Sequence, residues 1–423
     1  MKPKTFKALG VIEPILAALK KQNITTPTEI QEKTIPLILK GKDIIGGSKT
    51  GSGKTLAFSC GIIKQEIHSV GIKSLILVPT RELAEQVGLA LNRFSKFEKI
   101  SIVKVYGGVS IEKQIRNLTS ADVVVATPGR LLDHINRNTI RLDKVNVLVL
   151  DEADMMLDMG FLRDVEKIIR AIPKKRQTLL FSATVSSEVE HIANQHMNHP
   201  IEVSVEQFVD SSKLEQSYID VSSKEKFSLL VHLLKQETSG VVMVFCNTRR
   251  NTDLIAKNLK ENGVQSCAIH GGLTQNKRKQ ILDDFHKGRT YALICTDVAA
   301  RGLDIKGVSH VYNYDVCKEA KQYVHRIGRT ARAGKDGQAI TLLSERDHEN
   351  FSKVMAVNDN IEHEERPHFK QAEMPIKSSR RGGGRPHQSQ GRRNPNPSNS
   401  RRPQSNRPRR SNNANSRNRR KRT

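Results

Sequence analysis

The chain has 423 residues, 37% hydrophobic and 27% charged, with a formal charge of +26. That length exceeds what one compact core supports, so it reads as two globular domains with an appendage. No apolar stretch approaches the roughly 20 residues that span a bilayer, which excludes a helical membrane protein, and the positive charge favours a polyanion partner, of which nucleic acid is the commonest.

Residues 1–10 lack the apolar core of a signal peptide, and the five cysteines (Cys60, Cys246, Cys267, Cys295, Cys317) contain no CxxC pair. Both point to a soluble cytoplasmic protein with buried thiols. Short apolar strands alternate with helical patterns, as in parallel α/β domains. In the first half the strands are expected at 43–45, 74–78, 102–105, 122–126, 145–150 and 177–181. In the second they are expected at 241–245, 265–269, 291–295, 308–312 and 338–342. Residues 203–213 are polar, lack a period and read as the hinge. The expected boundaries are a first domain over 1–204, a linker over 205–213, a second domain over 214–366 and a tail over 367–423.

Ser48-Lys49-Thr50-Gly51-Ser52-Gly53-Lys54-Thr55 follows the first strand. Gly51 and Gly53 let backbone N–H groups turn inward around phosphate oxygens, and the following helix adds the positive end of its dipole. Lys54 would reach the β- and γ-phosphates and the Thr55 hydroxyl would hold Mg²⁺. Ser48 stands where the strict pattern has glycine, yet it is small enough for the turn.

Polar motifs recur after other strands, at the carboxyl ends where a doubly wound sheet gathers its ligands. Pro79-Thr80-Arg81-Glu82, Thr127-Pro128-Gly129-Arg130, Ser182-Ala183-Thr184, Asn247-Thr248-Arg249 and Thr296-Asp297 all sit so. The branched aliphatic run at 145–150 reads as a buried parallel strand and ends in Asp151-Glu152-Ala153-Asp154. Carboxylates this close repel one another unless a cation shares their charge. Alone, the stretch is equally well read as an acidic helix start favoured by the dipole. The phosphate loop upstream tips the choice toward a metal–nucleotide site.

From Lys377 onward the chain holds 14 Arg and 2 Lys with no acid, so +16 of the +26 lies there. Built of Arg, Asn, Ser, Pro and Gly, this tail cannot bury enough surface to offset its chain entropy and is expected to be disordered. Arginine without compensating acid points to nucleic-acid binding rather than mere solubilisation.

Together these residues, in this order, resemble the DEAD-box family of ATP-dependent RNA helicases over residues 6–343. The resemblance implies two tandem RecA-like, doubly wound parallel-sheet domains that close over ATP and one RNA strand. Thr26-Pro27-Thr28-Glu29-Ile30-Gln31 is similar to the adenine-reading Q motif, with Gln31 bonding the base and Phe6 stacking on it; Asn23 replaces a glycine nearby. Asp151 is then implied to hold Mg²⁺, Glu152 to orient and deprotonate water, and Asp154 to bond Ser182-Ala183-Thr184 as the element coupling hydrolysis to duplex opening.

His325-Arg326-Ile327-Gly328-Arg329-Thr330-Ala331-Arg332 resembles the motif that reaches across the cleft. Arg326 and Arg329 are implied to meet the γ-phosphate, Arg329 as arginine finger, with His325 in the coupling group; Ala331 replaces a glycine. Residues 296–304 resemble the motif that senses both ligands, with Asp304 near the ribose.

RNA contacts are implied for Pro79, Thr80, Arg81, Gly107, Gly108, Thr127, Pro128, Gly129, Arg130, Thr248, Arg249, Thr296, Arg301 and Gly302. Such contacts to phosphate and sugar carry no sequence information. His270-Gly271-Gly272 lacks a frequent acidic residue at Gly272. The expected partners are single RNA strands and short duplexes, with a monomeric core and a tail available to ribonucleoprotein or ribosomal precursors. Two other readings are a translocating DNA or RNA helicase, against which stand the Q motif and the literal Asp-Glu-Ala-Asp, and an RNA chaperone or clamp.

Overall fold

A computed structural model describes residues 5–47, 51–66, 71–184, 186–205, 214–236, 240–300, 303, 305, 307–331, 336–358 and 360–376. The first lobe contains β1 (Ile44–Gly47), β2 (Ser74–Leu77), β3 (Ile102–Val105), β4 (Val123–Ala126), β5 (Val147–Asp151), β6 (Gln177–Ser182) and β7 (Ile201–Ser204). Its helices are α1 (Glu13–Lys21), α2 (Glu29–Leu39), α3 (Lys54–Glu66), α4 (Arg81–Phe94), α5 (Ile111–Leu118), α6 (Pro128–Asn136), α7 (Ala153–Asp158), α8 (Leu162–Arg170) and α9 (Ser187–His196).

The second lobe contains β8 (Leu214–Asp220), β9 (Val241–Phe245), β10 (Ser266–Ile269), β11 (Ala292–Cys295), β12 (Val308–Asn313), β13 (Gly337–Leu343) and β14 (Glu362–His363). Its helices are α10 (Lys226–Gln236), α11 (Arg249–Glu261), α12 (Gln275–His286), α13 (Asp297–Ala300), α14 (Ala320–Ile327) and α15 (His348–Met355).

Each lobe is one sheet of seven parallel strands. The first is ordered β3-β4-β2-β5-β6-β1-β7 and the second β10-β11-β9-β12-β13-β8-β14. Adding seven to each index of the first order gives the second, so the lobes share one topology.

Both faces of each sheet are covered, which is why the inner strands are continuous apolar runs. Val147 and Val149 of β5 enter one core while Leu148 and Leu150 enter the other. In β9, Met243 and Phe245 face one side and Val242 and Val244 the opposite side. All loops that follow the central strands therefore open at one end of each sheet.

The strands β7, β8 and β14 were not anticipated from the sequence. The tail expected from residue 367 also starts later, because Phe369, Ala372 and Met374 pack against the core of the second lobe. Residues 377–423 lie outside the described residues. Among the described residues, no helix is long and apolar enough to cross a membrane.

Candidate nucleotide and nucleic-acid site

Between β1 and α3 the chain turns through Gly51 (φ +86°) and Gly53 (φ +97°), left-handed conformations that glycine adopts without steric cost. Ser48, Lys49 and Thr50 lie outside the described residues. Lys54 and Thr55 form the first turn of α3, which puts them at the positive end of its dipole.

The loop is braced from α2. The Thr28 hydroxyl donates to the Ser52 carbonyl at 2.7 Å, and Gln31 Nε2 donates to the Gly53 carbonyl at 3.0 Å. Gln31 Oε1 accepts the Thr28 N–H at 2.9 Å. A Cβ at Gly53 would run into the Gln31 amide, so this close approach itself requires glycine. The amide assigned by resemblance to adenine is thus turned onto the phosphate loop here, while Thr26 is exposed nearby. Phe6, assigned to stack on the base, is instead only 4% exposed and packed within the first-lobe core, so it offers no free ring face.

At the end of β5, Asp151 is 3% exposed, and its Oδ1 lies 4.0 Å from Lys54 Nζ. Burial pushes its pKa up to about 6; Lys54 opposes that shift and Glu152 adds to it. Glu152 caps α7 in a left-handed conformation (φ 52°, ψ 51°), a strained geometry for a residue with a side chain. Asp154 has its oxygens occupied: Oδ2 accepts from Ala183 N (3.1 Å), Thr184 N (2.9 Å) and Thr184 Oγ1 (3.0 Å), and Oδ1 from Met155 N (2.9 Å). Its own N–H donates to Ser182 Oγ at 3.3 Å. The three acids therefore face three environments: a lysine, a strained turn and the Ser182–Thr184 loop.

A second part of the site is a cleft of about 330 Å³ lined by both lobes, including Pro79, Thr80, Arg81, Gly107, Thr127, Gly129 and Arg130 from the first and Gly271, Leu273, Arg278 and Val298 from the second. Thr80 caps α4 by accepting the Leu83 N–H (3.2 Å), and Thr248 caps α11 by accepting the Asn251 N–H (3.1 Å). The arginine after each cap lies over a glycine pair. The Arg81 guanidinium fills the space a side chain on Gly107 or Gly108 would need, and Arg249 lies equally close over Gly271. Arg130 donates to the Val109 carbonyl and to the Gln114 side-chain oxygen, which holds it against the start of α5. Thr296 is buried at the start of α13. Arg301, Gly302 and Asp304 lie outside the described residues.

Arg326 departs from the expectation that it meets a γ-phosphate. It is 1% exposed and wholly engaged within its own lobe. Nε and Nη2 donate to Asp297 at 2.6 and 2.7 Å, Nη2 also to Asn247 at 2.9 Å, and Nη1 to Asn313 and the Asp315 carbonyl. The guanidinium lies over the Phe245 ring. Burial works against its charge, and Asp297 more than offsets this, so its pKa is raised. All five N–H donors have acceptors, and a side chain so satisfied has none left for a ligand. Arg326 is the post that ties the loops after β9, β11 and β12 together. Arg329 is buried one turn further on, donating to the Leu303 and His325 carbonyls, and His325 is half-buried beside it.

Sequence reasoning missed the contacts that join the lobes. Arg278 Nε donates to Glu82 at 2.7 Å and Gln275 adds a bond at 3.2 Å, the ion pair being 8% and 7% exposed. Lys321 at the start of α14 meets Asp158 at the end of α7 at 3.2 Å. Glu82 belonged to a quoted motif, but nothing in one sequence pairs it with a residue almost two hundred positions away.

Fold and site together define a nucleotide-binding α/β protein of two tandem RecA-like lobes. The sequence matches the DEAD/DEAH box helicase family over residues 28–192 and the helicase conserved C-terminal domain over 225–334. It is 46% identical over 345 residues to the ATP-dependent RNA helicase CshA of Listeria monocytogenes, covering 81% of this chain and 66% of that protein. Identity to the DEAD-box ATP-dependent RNA helicase CshA of Geobacillus kaustophilus is 44% over 346 residues, covering 81% and 74%. Among solved structures, S. cerevisiae Dbp5 bound to RNA and ADP BeF3 superposes with a TM-score of 0.77 at 31% identity, covering 86% of this chain and 96% of that one. The chain belongs to the DEAD-box family of ATP-dependent RNA helicases.

Proposed function

We propose that the chain hydrolyses ATP in response to RNA and uses the cycle to separate short duplexes locally, without reading their sequence. The observation that carries this reading is the bonding of Asp154 to Ser182–Thr184, which physically joins the acid cluster at the phosphate loop to the neighbouring strand end. In this reading the backbone around Gly51–Gly53 and Lys54 hold the phosphates, Glu152 orients and deprotonates the attacking water, and Arg329 supplies positive charge from the second lobe. Phosphoryl transfer asks chiefly for such positioning and neutralisation. Arg326 is assigned to holding the second-lobe loops rather than to the phosphate.

The donor set suits Mg²⁺. Asp151 and the Thr55 hydroxyl are hard oxygen ligands, and Asp151 is buried with its charge incompletely compensated by Lys54. Among the described residues no group of three or more His, Cys, Asp or Glu is placed to hold a metal unaided, which fits an ion shared with phosphates. Bound there, Mg²⁺ would neutralise phosphate charge. Asp154 is left out of that ligand set because its oxygens are occupied.

RNA is assigned to the cleft, where threonines, glycine backbones and Arg81, Arg130 and Arg249 meet phosphates and riboses; base edges are not read. The tail adds sequence-independent affinity through its arginines. The five cysteines are free thiols, four of them buried, which supports a reducing compartment such as the cytoplasm. The test is ATP turnover with and without single-stranded RNA, using DNA of the same length as control. Stimulation by RNA alone is expected, and equal stimulation by DNA would favour a translocating helicase.

A further inference from the structure

Helix α5 buries Gln114 and Leu118, one turn apart on its inner face. An amide in such a position costs free energy unless its hydrogen bonds are made. Gln114, 4% exposed, makes three of them. Its Nε2 donates to the Tyr106 carbonyl at 2.9 Å, and its Oε1 accepts from Arg130 Nη1 and His134 Nε2, both at 3.0 Å.

The chemistry of the partners fixes every role. A carbonyl only accepts and a guanidinium only donates, so the amide can sit only one way round. Oε1 then requires the proton of His134 on Nε2, which leaves Nδ1 to accept from the Thr139 hydroxyl at 2.8 Å. His134 is fully buried; burial, and to a lesser degree the charge of Arg130, push its pKa below the usual histidine value and keep the ring neutral. Two of the three bonds lead to the cleft. The Tyr106 carbonyl opens the Gly107-Gly108 turn, against which the Arg81 guanidinium lies, and Arg130 itself lines the cleft beside Gly107.

From this geometry we infer that Gln114 is a positioning residue for RNA: it fixes Arg130 relative to the Gly107-Gly108 turn, so that both meet one phosphate backbone. The inference rests on the cleft being the RNA site.

Two observations support it. Both Nη1 hydrogens of Arg130 are used within the protein, on Gln114 and on the Val109 carbonyl at 3.1 Å, while Nε lies 3.8 Å from Asp133. Among the described residues Nη2 has no hydrogen-bond partner. A guanidinium anchored through one nitrogen presents the other to a phosphate in a set orientation.

The second observation comes from the repeat between the lobes. Ser110 caps α5 by accepting the Lys113 N–H, and Thr274 caps α12 by accepting the Lys277 N–H. Four residues after these caps stand Gln114 and Arg278, the latter reaching Glu82 of the first lobe. Three residues after the equivalent Thr127 and Thr296 stand Arg130 and Ala299. The amide is therefore present in the lobe that has an arginine to hold, and replaced in the lobe that has alanine there.

The test titrates ATP turnover of the full chain with a single-stranded RNA oligonucleotide that fills only the cleft, at several salt concentrations. Gln114→Met keeps the volume and loses all three bonds. It should raise the half-saturating RNA concentration about three- to tenfold while turnover at saturating RNA stays within about twofold. Gln114→Glu sets a carboxylate on Arg130 and cancels its charge. It should cost about tenfold in RNA affinity and lower the salt slope by about one phosphate, as Arg130→Ala should. In an Arg130→Ala background either change should add less than about twofold. Urea unfolding identifies the folded variants, and the glutamate, which keeps an ion pair in the site, serves if the methionine variant does not fold. A folded variant that responds to RNA like the native chain would overturn the positioning role, as would one whose effect multiplies with that of Arg130→Ala. A native RNA response in Arg130→Ala itself would instead overturn the cleft as the RNA site.

Discussion

The two lobes repeat one sheet order but not one chemistry, and the difference separates two kinds of work. The ends of β2, β3 and β4 carry Thr80-Arg81, Gly107-Gly108 and Thr127, and the matching ends of β9, β10 and β11 carry Thr248-Arg249, Gly271-Gly272 and Thr296. The outline matches, with a threonine cap and then an arginine beside a glycine pair, although Gly108 lies against the Arg81 guanidinium while Gly272 faces the His270 ring first. The remaining strand ends differ. After β1 come Gly51–Thr55, and β5 ends in Asp151 with Glu152 and Asp154 just beyond; after the corresponding β8 and β12 stand Ser222-Ser223 and Tyr314-Asp315. The half that can grip a phosphate backbone is built twice, and the half that can hold a nucleotide triphosphate is built once. A polymer can be gripped from both lobes, whereas a single nucleotide needs one pocket and a second lobe to complete it.

That division can be broken from the chemical side first. Arg329→Ala should lower RNA-stimulated turnover by about 10³-fold or more, the range for an arginine finger. Glu152→Gln should lower it by about 10²–10⁴-fold while leaving ATP and RNA binding, as expected for a lost general base. Both are read by steady-state turnover at saturating RNA.

Arg326→Ala should behave differently from Arg329→Ala. It strands the partly buried Asp297 and opens the lobe, so it should cost about 3–5 kcal/mol of stability. Urea unfolding checks this, and a normal midpoint would return Arg326 to the phosphate.

On the duplicated side, Arg81→Ala and Arg249→Ala should act alike. Each should weaken RNA binding by about 1–2 kcal/mol and reduce the salt slope by about one phosphate. Affinity for ATP without RNA should not move. Unequal effects would show that the repeat is one of shape only.

The smallest effect concerns Ala331, which replaces the glycine of the motif and has φ 51°. Ala331→Gly should relieve that strain and raise stability by about 0.5–1 kcal/mol, measured by thermal unfolding.

Central strands and the phosphate loop were legible in the sequence because continuous aliphatic runs and Gly-Lys-Thr each have few physical explanations. Less legible were β7 and β8, which lie toward the edge of each sheet; β8 buries only Leu214 and Ile219 outright, leaving no apolar run. The burial of Arg326 within its own lobe was not legible, because residue type and spacing do not encode burial. Its partners here, Asp297, Asn247, Asn313 and Asp315, come from three different strand ends and meet only in the fold. Phe6 was a single aromatic beside a nucleotide motif, and only packing shows that it belongs to the core. The packed segment after β14 was hidden by its composition, since Phe369, Ala372 and Met374 are too few to read as a buried element.

The most direct test is RNA affinity measured with and without a non-hydrolysable ATP analogue, on an oligonucleotide that fills only the cleft. If one RNA grip lies on each lobe and the nucleotide bridges them, the analogue must tighten RNA binding by tenfold or more, about 1.4 kcal/mol of coupling, and RNA must tighten the analogue by the same factor. RNA affinity that is identical with and without the analogue would contradict the division between the lobes.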